Sequence, residues 1–378
     1  MELQNKLGFG LMRMPMLPNG KVDIPLLSKM VDAFLERGFT YFDTAWMYCD
    51  SQSEAAIGEA LVKRHPRDSF TLTTKLHSGF VSSFEDRDAI FNEQLRRTGV
   101  DYFDYYLIHD LNSESVKIFE QFDCFEWLKA KKAAGLVRTI GFSCHDNPEF
   151  LEKILTEHPE MELVQLQVNY LDWESAGVQS RRCYEVAEKF HKPVIVMEPV
   201  KGGTLSNVPA KVDKLFKESD PTASVASWAI RFAASLPGVF KVLSGMSTLE
   251  QVLDNTSYMQ TLRPITDGER AVIEKAVTLI NADIAIPCTG CSYCTGGCPM
   301  NIAIPQYFSL YNADKQEYEG KGWMPQASYY HHLVEQGRGK ASDCIGCGQC
   351  EGICPQHLPV ITHLKEVAHY FEVEKADE

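Results

Sequence analysis

Residues 26–64 read LLSKMVDAFLERGFTYFDTAWMYCDSQSEAAIGEALVKR. Apolar side chains recur at helical spacing over 26–37, and Gly38 follows as the expected stop. Residues 40–45 form a short run that is apolar on both faces, and helical spacing resumes over 54–64. A strand buried on both sides between two amphipathic helices belongs in a parallel sheet with helices packed over it.

The same alternation continues in both directions. Strand-like runs occupy 7–11, 70–75, 103–109, 139–143, 163–169, 194–198 and 241–244. Helical patterns fall at 89–97, 124–134, 149–157, 182–190, 223–235 and 249–259, the first closed by Thr98-Gly99 and the second by Gly135. Eight strands alternating with helices over roughly 250 residues predict an α/β chain folded as a (β/α)8 TIM barrel. A doubly wound open sheet competes, because alternation alone does not show closure. No GxGxxG follows the first strand, which counts against a dinucleotide-binding open sheet.

With 378 residues, 44% hydrophobic and 23% charged, the chain has the composition of a folded globular protein of one to two domains. The 37 basic and 51 acidic residues leave a net charge of −14. That balance argues against a nucleic-acid or anionic-membrane partner, which needs clustered Lys and Arg. No apolar run approaches the roughly 18 residues of a membrane span. The opening Met1-Glu2-Leu3-Gln4-Asn5-Lys6 has neither a basic nor an apolar leader segment, so a cytoplasmic location is expected.

Of the twelve cysteines, Cys49, Cys124, Cys144 and Cys183 are scattered, and eight follow residue 287. Those eight make two runs of one pattern: Cys288, Cys291, Cys294 and Cys298 before Pro299, then Cys344, Cys347, Cys350 and Cys354 before Pro355. The change in composition places a domain boundary there, giving 1–280 and 281–378. C-x2-C-x2-C-x3-C-P is the bacterial ferredoxin motif, in which the fourth cysteine of each run ligates the other run's cluster. The motif thus predicts two 4Fe–4S clusters in a ferredoxin-like α+β module. One takes Cys288, Cys291, Cys294 and Cys354; the other takes Cys344, Cys347, Cys350 and Cys298. Structural zinc favours isolated CxxC pairs, and disulfides need an oxidising compartment. Tyr307, Phe308, Tyr311, Trp323, Tyr329 and Tyr330 make the insert between the runs aromatic, and packing against the barrel is the expected reason. A helix over 361–371 is expected to cap the module.

In a closed barrel, chemistry gathers where strands end and βα-loops begin. Strand two ends with Asp43 and leads to Tyr48, strand three ends with Lys75, and strand four ends with His109. Each residue alone is an ordinary salt-bridge or packing residue; the four in order at successive strand ends resemble the aldo/keto reductase family over residues 5–280. Gly58, in the helix after the Tyr, fits the same family. The resemblance implies that Tyr48 donates a proton to a carbonyl oxygen taking a hydride, with Lys75 lowering its pKa. Asp43 would balance Lys75, and His109 would orient the oxygen.

The same resemblance implies an NAD(P)H site. Ser143 and Gln165 match nicotinamide-carboxamide ligands, although Cys144 stands where the family has Asn. Met197 stands where an aromatic stacks on the nicotinamide. Gly202 and Gly203 resemble the approach to the pyrophosphate, and Ser244, Gly245, Ser247, Gln251 and Asn255 resemble the adenosine end. The cationic residue expected near Ser247 for a 2′-phosphate is missing.

The whole chain resembles the iron–sulfur-containing aldo/keto reductases of anaerobes. A hydride carries two electrons and each cluster accepts one, so a flavin, the usual adapter, is a further cofactor to consider. Three readings stay open. The first is an oxidoreductase acting on a small carbonyl or alcohol substrate, with clusters exchanging electrons with the site or a ferredoxin-like partner. The second is an NAD(P)H-dependent carbonyl reductase with structural or sensing clusters. The third is a non-catalytic electron-transfer module.

Overall fold

The computed structural model describes residues 5–113, 115–174, 178–317 and 325–372. Eight strands close into a barrel in sequence order, all pairs parallel: β1 (Leu7–Gly10), β2 (Tyr41–Asp43), β3 (Thr71–His77), β4 (Phe103–Leu111), β5 (Val137–Cys144), β6 (Leu163–Gln167), β7 (Val194–Met197) and β8 (Val239–Gly245). The closing pair is β1 with β8, where Leu7 faces Val242 and Gly10 faces Gly245. Closure removes the open-sheet alternative.

Both faces of the strands are buried, as the sequence pattern requires. Tyr41, Leu107, Leu163, Ile195 and Leu243, from five strands, meet in one apolar cluster. The Tyr41 hydroxyl accepts a 2.7 Å hydrogen bond from Thr73 Oγ1, so its polar end is satisfied inside. Outside the barrel, helix Ile24–Glu36 is capped by Asp23, and helix Phe84–Thr98 by a Ser83–Asp86 capping box. The chain over 53–62 is a helix, Ser53–Ile57, that widens into a π turn over Gly58–Val62. A Cβ on Gly58 would stand 2.8 Å from the Arg97 carbonyl oxygen and 2.9 Å from that of Thr98. Glycine is what allows the two helices to cross there.

The chain forms two compact units. The first contains the barrel strands, and the second gathers Lys201–Val225 with Gly268 onward. In the second unit lie helices Asp267–Asp283, Tyr293–Gly296, Ile304–Glu317, Pro325–Glu335, Gln349–Gly352 and Val360–Phe371, the first of them starting at the boundary. Sheet pairing among its described residues reduces to one parallel bridge, Ile302 with Gly339. Its core is Ile286, Ile302, Ile304, Tyr307, Phe308, Tyr330 and the inner face of Val360–Phe371. The insert's aromatics therefore build this unit's own core. Tyr307 lies 4.4 Å from Tyr330, which stacks on Phe371 at 5.1 Å. Trp323 lies outside the described residues, as does the side chain of Tyr329.

Candidate active site

β2, β3 and β4 are hydrogen-bonded neighbours, so their last residues share one end of the barrel. Lys75 is fully buried, and a buried ammonium is costly unless paired and hydrogen-bonded. Its Nζ donates to Asp43 Oδ1 at 2.6 Å, to the Thr44 carbonyl at 2.8 Å and to Tyr48 Oη at 3.4 Å. Three acceptors match the three donors of an ammonium. Tyr48 follows β2 in the short helical turn Tyr48–Ser51, and its ring meets the His109 imidazole edge-on at 5.8 Å. The four predicted residues therefore form one contiguous cluster.

Burial raises the pKa of Asp43 and lowers that of Lys75, while their mutual attraction opposes both changes. Gln165 also acts on the Asp43 carboxylate. Burial pushes the Tyr48 phenol well above its ordinary value of 10, and the carboxylates of Asp43, Glu198 and Asp110 push the same way. The direction is opposite to the expected lowering by Lys75, and burial is its first cause. Tyr48 thus holds its proton at neutral pH. His109 is driven well below 6.5, first by burial and then by Lys75, His77 and His145, so its imidazole is neutral. Its Nδ1 is buried without a hydrogen-bond partner among the described residues.

A buried polar network fixes β3 behind Lys75. Gln94 Nε2 donates to the Lys75 carbonyl at 2.9 Å and to Glu54 Oε1 at 2.8 Å, and Thr74 Oγ1 donates to the same carboxylate at 2.7 Å. Sequence reasoning missed these residues because their chemistry is ordinary and only the fold brings them together. It also missed His77, which lies 3.8 Å from Asp110 and 5.4 Å from the His109 ring.

The predicted cofactor residues divide. Ser143 Oγ accepts from the Asp110 backbone N–H at 2.8 Å. Asn255 Nδ2 donates to Ser244 Oγ at 2.8 Å, and the Ser247 N–H donates to Gln251 Oε1 at 2.7 Å, so the adenosine-end set is assembled. Met197 is half-buried at the end of β7. Gly202 and Gly203 fall in the second unit. A basic residue, Arg13, does lie beside Ser247, from a distant part of the chain. Ser247 Oγ donates to the Arg13 carbonyl at 2.8 Å, and the Arg13 stem would meet a Cβ on Gly245 at 3.5 Å. Arg13 follows β1, and only the β1–β8 closure brings it to the end of β8. Cys144 is buried with its thiol pushed well above 9 by burial, a packing residue.

In the second unit, Cys298, Cys344, Cys347 and Cys350 line one open cavity with Pro299, Ile302 and Leu364. Cys288, Cys291, Cys294 and Cys354 form the other electrostatically coupled group. Burial and neighbouring thiols raise Cys288 to about 11 and Cys294 to about 12, while burial and Cys344 raise Cys350 to about 11. Among the described residues no three His, Cys, Asp or Glu side chains converge on a single-ion site. Gly290 and Gly346, each second after the first cysteine of its run, share φ of +69°. The Gly290 N–H points at Cys288 Sγ at 3.5 Å. Soft thiol donors ringing a space, with backbone N–H groups turned toward sulfur, suit an iron–sulfur cluster. Among the described residues no helix is long and apolar enough to cross a membrane.

The profile of the aldo/keto reductase family matches residues 6–277, and that of the 4Fe-4S dicluster domain matches residues 287–358. An aldo-keto reductase of Mycolicibacterium smegmatis is 30% identical over 256 residues, covering 64% of this chain and 83% of that protein. One from Mycobacterium avium is 27% identical, covering 69% and 89%. Among solved structures, the holo form of a Bacillus halodurans aldo-keto reductase superposes with a TM-score of 0.56 at 25% identity, covering 72% of this chain and 91% of that one. A Klebsiella pneumoniae aldo-keto reductase in complex with NADPH gives 0.57 at 20% identity, covering 71% and 90%.

Proposed function

The chain belongs to the aldo/keto reductase family and carries a 4Fe-4S dicluster domain, and from this premise we propose an oxidoreductase that interconverts a small carbonyl compound and its alcohol in the barrel. Two 4Fe–4S clusters, on the cysteine sets named above, exchange electrons with that site or with a ferredoxin-like partner. When bound, NAD(P)H supplies a hydride and the clusters supply one-electron storage.

The residues of the chain do the rest. Tyr48 enters protonated and gives its proton to the substrate oxygen as negative charge grows there. Lys75, held against Tyr48 Oη, stabilises the phenolate that remains, and Asp43 keeps the ammonium in place. Neutral His109 offers an N–H to the same oxygen without adding charge. In the reverse direction Tyr48 takes the proton back. Arg13, beside Ser247, supports a 2′-phosphorylated dinucleotide, the type bound in the Klebsiella relative.

The observation that carries the proposal is the buried Lys75, its Nζ joined to both Asp43 and Tyr48. Tyr48→Phe keeps the ring and removes the hydroxyl. In NADPH-linked assays over a panel of small aldehydes and ketones it should retain the fold and lose about 10²–10⁴ in turnover. Unchanged turnover would remove Tyr48 from the mechanism.

A further inference from the structure

The two cysteine sets do not share one electrostatic environment. Next to the first set lies Lys201, four residues after β7 ends and only 2% exposed. Its backbone is held at φ +47°, a conformation a side-chain-bearing residue adopts at a cost. Lys201 Nζ donates to Gln356 Oε1 at 2.7 Å inside the protein, across 155 residues of sequence. Gln356 sits two positions after Cys354, is 7% exposed, and its Nε2 has no hydrogen-bond partner among the described residues. The positive charge of Lys201 reaches Cys288, where it favours the thiolate.

The second set has the opposite surroundings. Apart from the other thiols, the charge acting on Cys350 is the carboxylate of Glu351. Cys347 is exposed, and Ile345 beside it is 65% exposed. Cluster potentials rise with positive charge and with hydrogen bonds to sulfur, and they respond to solvent exposure.

We propose that Lys201 and Gln356 set the potential of the cluster on Cys288, Cys291, Cys294 and Cys354 and make it the more easily reduced of the two. A buried cation favours the reduced cluster, which carries one more negative charge, and the open Gln356 amide is a donor for a sulfur atom. The second cluster, near Glu351 and open to water, has the lower potential. This inference rests on the ligand sets proposed above.

The test is an anaerobic redox titration of the full-length holoprotein, followed by electron paramagnetic resonance. Two midpoint potentials are expected. Lys201→Met should lower the upper one by about tenfold in the reduction equilibrium, about 59 mV for one electron, and leave the lower one in place. Lys201→Arg keeps the charge and should restore the upper value. Gln356→Leu, which leaves Lys201 in position, should lower the upper potential by a smaller step and covers the case in which Lys201→Met does not fold. Two clusters whose potentials ignore both Lys201→Met and Gln356→Leu would overturn this inference and leave the function standing. Iron and sulfide well short of about eight each per chain would overturn the ligand sets themselves.

Discussion

The barrel end and the cysteine unit build their sites in opposite ways. At the barrel end, the protein alone satisfies its costly groups: the three donors of Lys75 have three acceptors, and the Gln94–Glu54–Thr74 network braces the strand behind. In the cysteine unit the Cys288, Cys294 and Cys350 thiols are raised in pKa, Cys298, Cys344, Cys347 and Cys350 line an open cavity, and the core around them is small. Metal–thiolate bonds form only once those thiols lose their protons, so metal affinity and folding are linked there. A pocket for a substrate that comes and goes must stand without it, whereas a pocket for a permanent guest can rely on the guest.

The largest effect should come from taking the iron away. Chelation of the full-length protein should abolish hydrogen-exchange protection across 286–317 and 325–371 while strands β1–β8 stay protected. Protection that survives iron loss in the cysteine unit would erase the contrast.

Next comes the ion pair. Lys75→Met leaves Asp43 buried and unpaired and should cost about 3–5 kcal/mol in thermal or denaturant unfolding. The double change Lys75→Met with Asp43→Leu should recover most of that stability and none of the activity. If the double variant stays as unstable as the single one, the pair is not what holds this end together.

A smaller loss is expected at Arg13. Charge-assisted hydrogen bonds contribute about 1.5–3 kcal/mol, so Arg13→Ala should weaken NADPH binding by roughly 10- to 100-fold. NADH binding should hardly move. Equal losses for both dinucleotides would place Arg13 away from a 2′-phosphate.

The smallest effect is a pH dependence. His109 has a folded pKa well below 6.5, so the unfolded chain binds its proton first as pH falls. Stability is therefore complete above about pH 6.5 and declines below it, by about 1.4 kcal/mol per unit, until the folded pKa is reached. His109→Gln should flatten that slope between pH 7 and 5. An unchanged slope would mean that other groups control it.

Strands and helices were legible because burial on both faces and helical spacing are local patterns; all eight strands overlap their expected spans. The short helix Val116–Gln121 and the helix Ala210–Ser219 were missed; each buries only two side chains. The tetrad could be read because its members lie at or near the ends of strands that are consecutive in sequence. Arg13 could not, because it reaches Ser247 only through closure of β1 on β8. The raised pKa of Tyr48 was hidden for a similar reason: it depends on burial and on Glu198, which lies 150 residues further along the chain. The aromatic insert was misjudged because composition shows that rings are buried without showing where.

The central claim is that barrel chemistry and clusters form one redox system, and single mixing experiments address it most directly. Holoprotein is prepared anaerobically, its clusters are reduced, and it is mixed with the carbonyl compound turned over fastest, with and without NADP⁺. The account predicts that cluster absorbance returns to the oxidised level in step with alcohol formation, and that Tyr48→Phe slows both together. Clusters that stay reduced while NADPH-driven turnover proceeds at the normal rate would contradict it.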